Sequence, residues 1–276
     1  MASRVIGIDL GTSFSLAAVL DGGRPRLIAD HHGRTMMPSL VVIKDDRSIL
    51  VGHEAESEAR TYSPKNLLIA SLKRSMGKTK EYGRHDGRMP VQVLAAIILS
   101  ELKIQAEASL GERVEKAVIA VPANFSFSQR QITKEAALIA GLEPIRIVNE
   151  ATASICAASD HVEGKVITAD LGAGTFDVSA IDFGDRVFQV IATSGAADLG
   201  GDDFTSWTSK LILSRIGSQV RLRVKSLKPR ANLCSPALKK LSIKWLPSPG
   251  FGSQWQSLSS LIRFPHLRRK VGSLDS

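Results

Sequence analysis

The sequence predicts a mixed α/β chain assembled by internal duplication. The first observation behind this is a repeat. Ile6-Gly7-Ile8-Asp9-Leu10-Gly11-Thr12-Ser13, near the start, reads like Thr168-Ala169-Asp170-Leu171-Gly172-Ala173-Gly174-Thr175-Phe176-Asp177, well into the chain. Each is an apolar strand ending in Asp-Leu-Gly, then small and hydroxyl residues, then a second apolar stretch at residues 16–20 or 178–181. That is the outline of a hairpin whose tight turn presents backbone N–H groups beside a carboxylate. Amides and hydroxyls suit phosphate oxygens, and a carboxylate suits hydrated magnesium, so the two turns read as half-sites for one nucleotide triphosphate. The second observation is the helix and buried-strand patterning between the repeats. The third is an abrupt change of character after Phe204.

Taken in order, residues 5–8, 16–20 and 26–28 predict an opening three-strand meander, with turns at Gly11-Thr12 and Asp21-Gly22-Gly23. Residues 38–43 and 49–51 predict a hairpin around Asp45-Asp46-Arg47. Residues 91–108 predict a helix, because Leu94, Ile97, Ile98 and Leu102 recur at helical spacing and Gly111 supplies a stop. Residues 117–121 are a β-rich apolar run ended by Pro122. Ser128 and Gln131 have capping-box spacing; the helix they open buries Ile132, Ala136 and Ile139 and ends at Gly141. Residues 145–148 predict a short strand, and Asn149 a cap for a helix through Ala158. Residues 166–169, 178–181 and 187–192 predict the second meander, closed by Gly200-Gly201.

The formal charge of +9 is unevenly distributed. Residues 206–276 hold 14 Lys or Arg and a single acid, Asp275, against 22 basic and 26 acidic side chains before them. The basicity belongs to the tail, and the body is mildly acidic. Cys156 and Cys234 match no metal-ligand or redox spacing and read as structural thiols. No apolar run approaches the roughly 20 residues that span a bilayer, and Met1-Ala2-Ser3-Arg4 leads straight into a strand. The expectation is a soluble protein of a reducing, cytoplasmic setting. His31, His32 and His85 have no ligand-spaced partners and read as loop residues.

Residues 206–276 also hold all three tryptophans, 14 serines and five prolines, and no strand or helix period persists beyond 211–216. Such a segment has little patterned apolar surface to offset its ordering entropy. Three readings stay open: a basic tail that binds nucleic acid or an acidic surface, a small extra domain, and a shifted reading frame past residue 204.

Several blocks together resemble the seventy-kilodalton heat-shock chaperones (DnaK-like). They are residues 8–13, Asn149-Glu150-Ala151-Thr152-Ala153, and residues 170–177. To these add Lys73-Arg74-Ser75-Met76-Gly77, Val121-Pro122-Ala123-Asn124-Phe125 with Ser128-Gln129-Arg130-Gln131, and Leu199-Gly200-Gly201-Asp202-Asp203-Phe204. The stretch between Lys73 and Val91 is short, which resembles the HscC-type branch. The likeness covers residues 4 to about 205, in order. It implies an actin-like, ribonuclease-H-like ATPase fold: lobe I at 1–165, with a smaller subdomain at about 35–90, the first part of lobe II at 166–205, and an irregular basic tail at 206–276.

By this resemblance, ATP is hydrolysed to ADP and phosphate with Mg2+ held by Asp9 and Asp170, largely through its waters. Gly11, Thr12, Ser13, Gly172, Ala173, Gly174, Thr175, Gly200 and Gly201 surround the nucleotide. Lys73, Glu150, Asp170 and Asp177 are the catalytic group: Lys73 contacts the γ-phosphate and attacking water, and Glu150 and Asp177 lie near water and metal. Pro122 and Arg130 resemble an allosteric switch and its relay. Taken singly, the same residues have plainer readings. An Asp-Leu-Gly is an ordinary turn, Lys73 a surface lysine, Glu150 a helix-start acid favoured by the dipole, and Asp177 a solvated strand residue. Ala173 stands where the family has glycine, a weakness only if the position needs positive φ or very close approach. Ala151 stands where the family has proline, which loosens the interlobe connection.

The resemblance also implies a J-domain co-chaperone, a nucleotide-exchange factor and, where a peptide-binding domain is present, unfolded clients. Residues 206–276 resemble neither the helical subdomain nor the later glycine-rich segment that hold adenosine, nor the peptide-binding β-sandwich. The expectation is therefore a truncated ATPase domain, with an inactive chaperone fragment and a nucleic-acid binder as its rivals.

Overall fold

The computed structural model describes residues 4–61, 63–83, 87–158, 164–184 and 187–219. All belong to a unit assigned as residues 1–234. His85, Cys234 and the tail beyond residue 219 lie outside the described residues.

Two sheets carry the repeat. In the first, β1 (Arg4–Leu10), β2 (Phe14–Asp21) and β3 (Arg24–Leu27) form the opening meander. They are joined by β4 (Met37–Pro38) on β2 and by the parallel strands β10 (Val114–Val121) and β11 (Glu143–Asn149), in the order β11-β10-β1-β2-β3. Alternation explains β1: Ile6, Ile8 and Leu10 are buried, while Asp9 lies on the opposite face. Helices α2 (Val91–Leu110) and α3 (Phe127–Ile139) cover the core. On α2, Leu94, Ile98, Leu102 and Ala106 fall at i, i+4 spacing and all are buried. Each fully buried Ile or Leu here contributes about 1.5–3 kcal/mol.

Between β4 and α2 lies a smaller subdomain. Strands β5 (Val41–Ile43), β6 (Ile49–Val51) and β7 (Leu67–Ile69) form a three-stranded sheet beside helix α1 (Gly52–Thr61). A 3-10 turn, Leu72–Ser75, and a ribbon of β8 (Glu81–Tyr82) and β9 (Met89–Pro90) follow. The second meander is a separate antiparallel sheet of β12 (Gly164–Leu171), β13 (Phe176–Gly184) and β14 (Val187–Ala196). It packs on α4 (Glu150–Ala158) through Ala151, Ile155, Ile181 and Phe183.

Four local expectations change. The capping box of α3 is Ser126 with Gln129, not Ser128 with Gln131. Ser126 Oγ accepts from Gln129 N at 3.3 Å, and Gln129 Oε1 accepts from Ser126 N at 2.8 Å. The spacing rule was satisfied by two pairs, and the one adjoining the non-helical residue forms the cap. The single strand expected at 38–43 divides into β4 and β5, which belong to different sheets. Ile139, expected to be buried on α3, is 55% exposed, and Asn149 ends β11, where its Oδ1 accepts from Arg130. Gly200-Gly201 opens a helix, α5 (Gly201–Gln219), which starts well before the short apolar stretch 211–216 and includes it.

Candidate functional site

Asp9 lies near the carboxyl end of β1, Pro122 directly after β10, and Glu150 directly after β11. The parallel register, Asp9 beside Ala120 and Val121 beside Asn149, puts these three at one end of the sheet. The carboxyl ends of parallel strands are where α/β sheets leave room for a ligand. The two Asp-Leu-Gly turns have the same construction. Leu10 pairs with Ser15 and Leu171 with Phe176, each enclosing four residues, Gly11–Phe14 and Gly172–Thr175. One step back, Asp9 faces Leu16, and Asp170 faces Asp177.

The turns meet. A Cβ built on Gly174 would lie 2.5 Å from Thr12 Oγ1 and 2.6 Å from Thr12 Cγ2, so only glycine lets the second turn close on the first. A Cβ on Gly11 would lie 2.1 Å from the Phe14 carbonyl oxygen, which fixes glycine there for the same reason. Ala173 does not adopt positive φ, so alanine in the family's glycine position carries no backbone strain. Ser13 and Thr175 are half-buried at their turns, and Thr12 is buried.

Lys73 is carried by the 3-10 turn and is only 8% exposed. Its Nζ donates to Glu150 Oε1 at 2.6 Å. A buried ammonium is retained only beside compensating charge, and Lys73 attracts the carboxylates of Asp9, Glu150 and Asp177. Asp9 and Asp170 repel each other, as do Asp170 and Asp177, so the five groups share one electrostatic neighbourhood. Burial, opposed by Lys73, holds the Asp9 and Glu150 carboxyls above the usual carboxylate range. Burial and then the opposed Asp170 raise Asp177. Asp177 is 5% exposed, and its buried Oδ1 has no hydrogen-bond partner among the described residues.

Gly200 and Gly201 stand differently from the other predicted glycines. Gly200 N donates to Asp203 Oδ2 at 2.8 Å and Gly201 N to the Gly172 carbonyl at 3.0 Å, so both amides are engaged within the protein. They brace the second turn from behind. Pro122 and Arg130 do come together. Arg130 donates to the carbonyls of Pro122, Ala123 and Phe125 at 3.4, 3.2 and 3.1 Å, and to Asn149 Oδ1 at 2.8 Å, one residue from Glu150.

Sequence reasoning assigned no role to a second group, Ser71, Arg74, Asp202 and Asp203. Arg74 forms a forked pair with Asp203 and donates from Nε to the Gly174 carbonyl at 3.0 Å. Ser71 holds a left-handed conformation (φ 53°), and its hydroxyl donates to Asp202 Oδ2 at 2.5 Å. The signal was available: all four lie in or beside the Lys73–Gly77 and Leu199–Phe204 blocks.

The donor set suits magnesium on phosphate. Among the described residues no three His, Cys, Asp or Glu form a metal cage. Mg2+ takes few carboxylates and keeps waters and phosphate oxygens as its other ligands. The orphaned Asp177 Oδ1 and the glycine cradle at Gly174 fit that pattern. The described residues contain no helix long and apolar enough to cross a membrane. The family model described as Hsp70 protein matches residues 5–94 and 82–239, beyond the Phe204 at which the motif likeness ends. With an actin-like ATPase fold and a match over most of its length, the chain belongs to the Hsp70 family.

Proposed function

We propose that this chain binds magnesium-ATP between its two Asp-Leu-Gly turns and hydrolyses it to ADP and phosphate, as the nucleotide-binding part of a chaperone that assists protein folding. The observation that carries this is the contact of Thr12 with Gly174, 162 residues further on, which makes one site of two turns, with Asp9, Lys73, Glu150, Asp170 and Asp177 around it.

In this reading the turn amides and the hydroxyls of Thr12, Ser13 and Thr175 hold the phosphate chain. Asp9 and Asp170 hold the hydrated Mg2+, which neutralises phosphate charge when bound. Lys73, already desolvated, stabilises charge that develops on the γ-phosphoryl group. Glu150, held by Lys73 at 2.6 Å, and Asp177, with a free Oδ1, orient the attacking water and accept its proton. Their raised carboxyls place them nearer the operating pH than an ordinary carboxylate, which favours proton transfer. Arg130, linking Asn149 to the Pro122 turn, would pass a shift at Glu150 to the end of β10. The HscC-type branch, a cytoplasmic setting, and a J-domain protein and exchange factor as partners belong to the same proposal. They rest on the short 73–91 stretch, the lack of metal-ligand or redox spacing between the two cysteines, and the family respectively.

A second reading is a chain that holds phosphate without turning it over. The exposed Ile167, Leu171, Val187 and Ile191 of the second sheet, with Trp207, Leu211 and Leu213 on α5, favour it, since lobe II has the smaller core. Calorimetric titration with magnesium-ATP, followed by phosphate release under single-turnover conditions, separates the two. Heat with phosphate release supports the first reading and heat without release the second. Neither heat nor a thermal shift at millimolar nucleotide overturns both.

A further inference from the structure

We propose that Arg74 is a positioning residue for the phosphate site: its guanidinium fixes the second turn against the segment carrying Lys73, and Asp203 is its anchor. This rests on the nucleotide reading above and names what keeps that site in register.

The argument starts from the carbonyls of the second turn. Gly172 O accepts from Gly201 N at 3.0 Å, Ala173 O from Asp202 N at 2.9 Å, and Gly174 O from Arg74 Nε at 3.0 Å. Three consecutive carbonyls are thus tied back to one side. The described residues contain no cis peptide, and in a trans peptide the N–H points opposite to the carbonyl. The N–H groups of Ala173, Gly174 and Thr175 therefore turn away from the tethers, and none has an acceptor among the described residues. A row of such amides is what an anion needs.

Two of the three tethers come from backbone amides of the segment Gly200–Asp203. The third is a side chain from a different part of the chain, one residue from Lys73. Arginine is suited to it: two nitrogens pair with Asp203 while Nε reaches Gly174 O, a fork that lysine cannot reproduce. Asp203 is fixed in turn by Gly200 N, and Ser71 clamps the same helix start through Asp202. The pairing holds Asp203 below the usual carboxylate range and raises Arg74, so both stay charged across physiological pH. Moving the guanidinium would release the Gly174–Thr175 peptide and loosen Lys73 from the turn opposite it.

The test compares the parent chain with Arg74→Ala, Arg74→Lys, Asp203→Asn and the double variant R74A/D203N. It uses magnesium-ATP titration, single-turnover hydrolysis, thermal melting and amide hydrogen exchange. Misplacement on this scale is expected to cost R74A about 10–100-fold in single-turnover rate. R74K should recover little of that loss, and the double variant should be no worse than R74A. In the presence of magnesium-ATP, exchange at Gly174 and Thr175 should be faster in R74A than in the parent, while Thr12 and Ser13 should match the parent. Should R74A fail to fold, D203N, which keeps an acceptor for Gly200 N, carries the same expectation in weaker form. Full rescue by R74K, additive losses, or a rate loss that follows the melting temperature would each overturn the proposal. A parent chain that binds and hydrolyses ATP alongside an unimpaired R74A overturns this inference alone. A parent chain that binds none overturns the nucleotide reading with it.

Discussion

The two Asp-Leu-Gly turns share length, register and the aspartate before them, yet they are supported in different ways. The first sits inside its own lobe: β1 is flanked by β2 and β10, and its alternate residues reach the main core. Ser39 ties it down, with Oγ donating to Gly11 O at 2.9 Å and N to Ser13 O at 2.8 Å. The second hangs from β12, an edge strand with five of its eight residues exposed, and borrows its rigidity from α5 and Arg74. A local motif sets the chemistry of a turn. Its stiffness comes from whatever stands behind it.

The largest expected effect sets the same position of the two turns against each other. Gly11→Ala forces Cβ to within 2.1 Å of Phe14 O and should cost about 1–3 kcal/mol. Gly172→Ala meets only Thr175 O at 3.6 Å and should be close to neutral. Denaturant unfolding of both variants checks this, and equal costs would break the comparison. Next, Gly174→Ala should weaken magnesium-ATP binding about tenfold, a cost of about 1.4 kcal/mol. Thr12→Ala added to it should restore part of any stability that Gly174→Ala loses by removing the opposing side chain, as denaturant unfolding would show, but should not restore binding.

Asp177→Asn should suppress turnover while changing the stability of the nucleotide-free protein by no more than about 1 kcal/mol, because the carboxylate has one unpartnered oxygen but also accepts from Asn124 and Thr175. Thermal melting alongside a phosphate-release assay reads both. A related effect appears in pH. Asp9, Glu150 and Asp177 have raised folded values, so above the ordinary carboxylate value of about 4 the folded state holds more protons than the unfolded. Their contribution to stability should fall as pH rises from there through the folded values. Asp203 has the opposite sign: its contribution is present above the ordinary value and is lost as pH falls through its lowered one. A pH series of unfolding free energies on the parent chain, D177N and D203N distinguishes the two slopes. Smallest, Ser39→Ala should cost about 0.5–1.5 kcal/mol for its lost hydroxyl bonds.

Legibility in the sequence followed locality. The hairpins, α2 with its Gly111 stop (φ 70°) and the end of α3 near Gly141 were readable, because spacing, β-branching and glycine are local signals. The aspartates and glycines of the turns stood out because they occur twice. What escaped was non-local. The hairpin of β5 and β6 was legible, but the short strands β7 to β9 pair across loops and have no period of their own. α5 carries Thr and Ser where a helical stripe would be sought, so only its tethered start reveals it. Arg74 and Asp203 are 129 residues apart, and no spacing rule joins them.

Gly200 packs so closely on the second turn that a Cβ there would lie 2.4 Å from Ala173 O. The support behind the second turn is therefore made of chain that follows the turn itself. A polypeptide stopped between Gly174 and Gly200 would keep every motif of the first lobe and both aspartates of the repeat. It would still release the three tethers at once, which makes Gly200–Asp203 the minimum downstream boundary for any fragment meant to retain the pocket.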